Sequence, residues 1–220
     1  MPEYELCYFA IRGLGETSRM LFAMAKVPYK DTRLTLDLPN GDFSKIVRPE
    51  FEAMRDKGEL DVSMGKVPFL SVDGVKFGQS KAIEQYLAKQ FGFMGSSDIE
   101  AAQVLQITET IRDLKDAYQK AKATEEDKAK WFAEGLPEMC KKLEKSLPKA
   151  SGPWLVGSKV SYADLVVYLT LAVHEGCYFD NLDGAKAAWA SCPRISAAMA
   201  AIAENPELKE WIAKRPKSPF

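Results

Sequence analysis

A tyrosine, a Val-Pro pair and a Gln-Ser pair are the residues of this chain whose types and settings suit chemistry. Tyr8 lies in an apolar-rich run, Leu6-Cys7-Tyr8-Phe9, followed by the turn Arg12-Gly13-Leu14-Gly15 and then by good helix formers from Glu16. Open α/β sheets bind ligands beyond the carboxyl ends of their strands, and the start of the next helix favours an anion. A phenol at that place either donates a hydrogen bond to an anionic group or packs in the core. Val67-Pro68 opens another extended run. Proline is tolerated at a strand start, where no ladder donor is needed. The bond is either an ordinary trans one or cis, which would turn the Val67 amide and carbonyl outward to meet a peptide-like ligand. Gln79-Ser80 begins a helix after a hairpin. Ser80 can cap that helix, and the same hydroxyl and free N–H groups form a carboxylate site to which Gln79 adds a hydrogen bond.

The elements that must position these residues follow from periodicity. An extended run over residues 3–9, a helix over 16–25 with Met20, Leu21 and Met24 on one face, and a second extended run from Pro28 to about Leu36 make a βαβ order. Residues 37–66, with Pro39, Gly41, Pro49, Gly58 and Gly65, read as a long connection holding one helix near 43–57. Residues 67–72 and 75–77, joined by Asp73-Gly74, read as a hairpin. A helix over about 80–91 follows. Residues 92–98 look like a linker, and the pattern beyond them is helical. Val104, Ile107, Ile111, Leu114, Tyr118 and Ala121 form an amphipathic stripe. A second helical stretch over about 125–147 should break or kink at Gly135 and Pro137. A third starts over residues 157–164 and is apolar almost all round from Leu165 to Val173, so it should be central and buried. Asn205-Pro206 starts a last short helix. The expected organisation is an α/β domain over 1–91, a linker over 92–98 and an all-α domain over 99–220.

Composition excludes several classes. Of 220 residues, 46% are apolar, enough for a real core, and the formal net charge of -1 lacks the basic field that a nucleic-acid partner needs. Cys7, Cys140, Cys177 and Cys192 form no CxxC pair, and one histidine, His174, cannot build a zinc cluster with them, so no metal is expected. Four widely spaced cysteines read as reduced thiols of a cytoplasmic protein. The N-terminus has neither signal nor transit character, and the longest apolar stretch is about half of a membrane span. Ser161 and Asp164 have capping-box spacing and read as structural. His174 reads as a core or groove residue, and Met20, Met24 and Met199 as core.

Taken in order, residues 8–19 (YFAIRGLGETSR), 65–70 (GKVPFL), 77–83 (FGQSKAI), 154–164 (WLVGSKVSYAD) and 211–216 (WIAKRP) make the whole chain resemble the cytosolic glutathione transferases of the tyrosine type. The start is most similar to the sigma class, which includes glutathione-dependent prostaglandin D synthase. The resemblance implies a thioredoxin-like N-terminal domain that holds glutathione as co-substrate, and an all-helical C-terminal domain that builds the pocket for an apolar electrophile. It also implies a homodimer. On the same footing Tyr8 would be the catalytic residue, Val67 would pair with the cysteinyl unit with Pro68 cis, and Gln79 and Ser80 would hold the γ-glutamyl carboxylate. Lys66 and Arg55 would lie near the glycyl carboxylate, Phe51 would stand where the family has a tryptophan at that end, and Asp113 would reach the γ-glutamyl amine of the partner subunit. Three departures are visible. Leu14 replaces an arginine found in many sigma members, Phe51 replaces the tryptophan, and residues 56–65 are longer than usual. The alternatives to a conjugating enzyme are a non-catalytic structural or ligand-binding relative, and a glutathione-dependent isomerase or peroxidase.

Overall fold

The computed structural model describes residues 1–39, 43–172 and 178–218. His174 and Cys177 lie outside the described residues. The chain divides into two compact units, one of residues 1–87 with 210–220, the other of residues 88–209. Pattern alone leaves the closing segment with the helical domain; its grouping with the first unit comes from contacts far apart in sequence.

The first unit is built on a four-stranded sheet in the order β2-β1-β3-β4. β1 (Tyr4–Phe9) and β2 (Lys30–Leu34) are parallel and are joined through α1 (Glu16–Ala25), while β3 (Phe69–Val72) and β4 (Val75–Gly78) add antiparallel. With α2 (Pro49–Asp56) before β3 and α3 (Ser80–Gln90) after β4, this is the expected thioredoxin-like arrangement. Asp73 (φ 50) and Gly74 (φ 85) both take the left-handed conformation that a tight two-residue hairpin requires. Strand alternation separates the neighbours Cys7 and Tyr8. Cys7 is fully buried in a cluster with Leu34, Phe51, Leu60 and Phe69. Burial pushes its thiol up to about 12, which removes it as a nucleophile near neutral pH.

The second unit is helical: α4 (Asp98–Ala121), α5 (Glu125–Lys130), α6 (Leu136–Ser146), α7 (Tyr162–Leu171), α8 (Leu182–Trp189) and α9 (Pro193–Ala203), with α10 (Pro206–Lys214) crossing the division between the units. The stripe of α4 is buried at Val104, Ile107, Ile111, Leu114 and Tyr118, and Ser97 caps its start by accepting from the Glu100 N–H at 3.2 Å. Every residue of α7 except Leu169 is buried. Its capping box forms as the spacing predicts: Asp164 accepts from the Ser161 N–H and hydroxyl, both at 2.7 Å, and also from the Leu155 N–H at 2.9 Å. At Gly135 and Pro137 the helix does not break. Trp131–Gly135 form a π-helical turn, and Pro137 follows it directly inside a continuous helical run, where its ring removes one backbone donor. Gly135 is required there, since a Cβ would lie 2.7 Å from the Trp131 ring.

Candidate functional site

The register of the sheet brings the sequence-predicted residues of the first unit to one end. Phe69 opposes Cys7 on one side and Gly78 on the other. The carboxyl end of β1, the start of β3 and the carboxyl end of β4 therefore coincide, and they carry Tyr8, Val67-Pro68 and Gln79-Ser80 respectively.

Tyr8 is 6% exposed. Its hydroxyl oxygen accepts a hydrogen bond from the Leu14 N–H at 3.1 Å. That N–H belongs to a short 3₁₀ turn, Gly13–Gly15, which wraps the ring closely. A Cβ on Gly13 (φ 38) would lie 2.7 Å from the Tyr8 oxygen, and one on Gly15 would lie 2.7 Å from the ring. Both glycines are thus the condition for this contact. Burial raises the hydroxyl's pKa, against a smaller opposing pull from the Leu14 amide and the Arg19 guanidinium. The group therefore stays protonated through neutral pH. A phenol oxygen that accepts from a backbone amide keeps its own proton for a second partner, so the arrangement suits a hydrogen-bond donor and not a base.

Arg19, quoted in the sequence only as part of a motif, organises this corner. It is fully buried and lies 5.9 Å over the Tyr8 ring. Its Nε donates to both Asp31 carboxylate oxygens at 3.2 Å, Nη1 to the Ile11 carbonyl at 2.6 Å and Nη2 to the Phe9 carbonyl at 3.1 Å. The planar fork of guanidinium matches this set of acceptors in a way an ammonium would not.

The Val67–Pro68 bond is cis. Val67 is half-buried, and among the described residues its peptide N–H and carbonyl carry no hydrogen bond. The segment 56–65, which leads to Lys66 and Val67, packs into the first unit. Leu60 is fully buried in the Cys7 cluster, and Ser63 Oγ donates within hydrogen-bond distance of the Leu60 carbonyl (3.0 Å) and the Lys66 carbonyl (2.5 Å). Leu60 therefore fills the core from this segment, and exposed Lys66 follows next to Val67.

The cap of α3 differs from the sequence expectation. Gln79, not Ser80, holds the N-cap position, its carbonyl accepting from the Ile83 N–H at 3.0 Å, and Ser80 is the first helical residue. Gln79 is exposed with φ 71, a conformation that costs a non-glycine residue about 1–2 kcal/mol. Strain of this kind points to function when the surroundings enforce it. Gln79→Gly should relieve it, raising the thermal midpoint by roughly 2–8 °C, while weakening retention on a glutathione matrix if the side chain takes part in the site. A variant that gains stability and binds as well as the wild type would remove the side chain from the site.

The remaining candidates are distributed differently. Phe51 is only 7% exposed and packs against Phe9 at 5.4 Å. Arg48 lies 4.9 Å and Arg55 5.9 Å over its ring. The ring is thus a floor beneath two cations, and Arg48 joins the set the sequence reading named. Arg55 is half-exposed, bonded to Asp56 at 3.1 Å, and its Cγ would lie 3.9 Å from a Cβ on Gly65. In the second unit, Asp113 is 70% exposed on α4, with Arg112 4.0 Å away.

Among the described residues no group of three or more His, Cys, Asp or Glu side chains could hold a metal, and no helix is long and apolar enough to cross a membrane.

A mixed four-stranded sheet carrying a buried, amide-bonded tyrosine, with a helical unit following in the chain, is the architecture of a transferase class, and comparison with known proteins agrees. Residues 109–215 match the model of the glutathione S-transferase C-terminal domain. The chain is 35% identical to glutathione S-transferase 1 of Ascaris suum, over 100% of both chains. It is 34% identical to the hematopoietic prostaglandin D synthase of Gallus gallus, over 99% of both. A solved structure of a monomeric glutathione S-transferase from the hookworm Necator americanus superimposes with a TM-score of 0.75 at 29% identity, covering 99% of this chain and 100% of that one. The chain belongs to the glutathione S-transferase family.

Proposed function

We propose that this protein is a glutathione transferase that binds glutathione at the end of its sheet and holds the thiol as a thiolate with the hydroxyl of Tyr8. The observation that carries this reading is the Leu14 N–H donated to the Tyr8 oxygen at 3.1 Å, which leaves the phenol proton free for a sulfur anion. The thiolate, not the thiol, is the nucleophile, and a free thiol has a pKa near 8.5. A preorganised donor in a partly dry site contributes about 3–4 kcal/mol to an anion, which at about 1.4 kcal/mol per unit lowers the thiol pKa by roughly 2–3 units. The bound thiolate then attacks an electrophilic carbon of an apolar substrate.

The unbonded peptide unit of Val67 suits pairing with the cysteinyl unit. Gln79, the Ser80 hydroxyl and the first N–H groups of α3 suit the γ-glutamyl carboxylate. Lys66 and Arg55, with Arg48 beside Arg55 on the Phe51 floor, suit the glycyl carboxylate. Exposed Asp113 suits the γ-glutamyl amine bound by a partner subunit in a homodimer. Resemblance at the start of the chain favours the sigma class, and unpaired, buried Cys7, Cys140 and Cys192 favour a reducing, cytoplasmic setting.

Retention on immobilised glutathione, with conjugation of a general aryl halide at neutral pH, is the expected result. Retention with no turnover would support a binding relative instead. The kinship with a prostaglandin D synthase makes an endoperoxide the second substrate to assay. Sedimentation should give a dimer, with Asp113→Ala raising the KM for glutathione several-fold; a monomer with an unchanged KM would remove the cross-subunit contact.

A further inference from the structure

The turn that gives its N–H to Tyr8 is held from both sides by the far end of the chain. On its upstream flank, the Arg12 N–H donates to the Ser218 hydroxyl oxygen at 3.2 Å. On its downstream flank stands Glu16, the first residue of α1 and only 7% exposed. One Glu16 carboxylate oxygen accepts from the Trp211 indole N–H at 2.9 Å and from Arg215 Nη1 at 2.9 Å. The other lies 3.9 Å from Arg19. The Arg215–Glu16 pair is itself secluded, its side chains 6% and 9% exposed, so its interaction is little screened by water. Between the two anchors lie only Gly13, Leu14 and Gly15. Two of these lack side chains with which to pack the turn in place, and φ at Gly13 is positive. Glycine turns are conformationally permissive, yet this one must hold a single 3.1 Å bond to Tyr8.

We propose that the segment from Trp211 to Ser218 is a strap that positions this turn, making Trp211, Arg215 and Ser218 positioning residues for thiolate formation. The proposal rests on the reading of Tyr8 as the thiolate donor. The strap's bonds named above go to Arg12 and Glu16, on the flanks of the turn. The strap acts on the placement of the Leu14 amide, which polarises the phenol and fixes its oxygen. Loosening it lengthens that bond, weakens the phenol as a donor and returns the bound thiol toward its ordinary pKa. Glutathione binding itself should be spared.

The test is a pH titration of the thiolate absorbance of bound glutathione in the full-length protein, run beside pH profiles of kcat/KM and thermal melts. The variants are Ser218→Ala, Trp211→Phe, the pair Trp211→Phe with Arg215→Met, and Arg215→Lys. The double variant should raise the bound thiol's pKa by about one unit, with kcat/KM falling about 10-fold below that pKa and recovering at alkaline pH, while the KM for glutathione stays put. Arg215→Lys, which keeps a cation for Glu16, should sit between it and the wild type. Should the double variant fail to fold, Ser218→Ala, which removes a single hydroxyl, carries the test with a smaller shift in the same direction. A folded variant with an unshifted thiol pKa, or a loss of rate that is the same at every pH, overturns the strap. Tyr8→Phe serves as the reference. If it too leaves the thiol pKa unchanged, the Tyr8 reading itself falls; if it raises the pKa and the strap variants do not, only the strap falls.

Discussion

Tyr8→Phe should lower kcat/KM for conjugation near neutral pH by about two to three orders of magnitude, the loss that removing one preorganised donor to an anion produces. The substitution keeps the ring that Gly13 and Gly15 enclose and removes only the oxygen, so the fold and the proposed glutathione-binding residues beside β3 and α3 stay in place. Retention on a glutathione matrix should change little, and the thermal midpoint should fall by only about 2–4 °C. The Leu14 amide then loses its partner, a cost of about 1 kcal/mol at a partly buried site. The pH dependence separates the donor role from a base role. With the hydroxyl gone, the bound thiol should titrate near 8.5, its unassisted value, and the variant should recover rate as pH rises through that value. Wild-type rate should already be on its plateau at neutral pH and fall only below the depressed thiol pKa. A Phe variant with wild-type rate at neutral pH would remove Tyr8 from the mechanism.

The second large effect is expected on stability. Arg19→Met should destabilise the protein by about 3–5 kcal/mol, the range for breaking a buried ion pair by removing one partner. For a chain of this size that is a fall in thermal midpoint of roughly 6–20 °C. The physical reason is the number of acceptors that one side chain serves. Methionine can fill the volume, but the Phe9 and Ile11 carbonyls lose their donor. Asp31 keeps Arg33, 2.8 Å away, so its charge is not wholly stranded. Arg19→Lys should recover only part of the loss, because one ammonium cannot span a carboxylate and two carbonyls in divergent directions. A melt of Arg19→Met within 2 °C of wild type would show that these bonds contribute little net stability. Because Phe9 and Ile11 lead from Tyr8 into its turn, a folded Arg19→Met protein should also show a raised thiol pKa.

Local features of the sequence determined a good deal. A strand, a glycine turn and a helix in immediate succession placed Tyr8 at a sheet end, because each of those signals acts over a few residues. The α4 stripe, the Ser161–Asp164 box and the Asn205 cap, whose side chain accepts from the Leu208 N–H at 2.8 Å, are equally local, and so was the opposition of Cys7 and Tyr8 across the strand. The family's order of motifs carried the rest of the candidate site. Where packing competes with local preference, the tertiary structure decided. Ser80 is the better capping residue by type, yet the chain enters α3 from β4 with Gln79 at positive φ. Phe51 became a buried floor because Cys7, Leu60 and Phe69 converge on it from β1, from the turn after α2 and from β3. The π-helical turn at Trp131–Gly135 let one helical run pass a glycine and a proline that the sequence alone expected to break or kink it.

The opening feature of the sequence, Tyr8 before its glycine turn, depends most on contacts that no local pattern encodes. The Leu14 amide that polarises it is six residues away. Asp31, which holds Arg19, comes from β2. Trp211, Arg215 and Ser218 lie about two hundred residues downstream. Periodicity and capping report what a residue's immediate neighbours require. An ion pair or an indole hydrogen bond between distant segments leaves no such periodic trace, because either partner alone reads as an ordinary polar surface residue until the fold buries both.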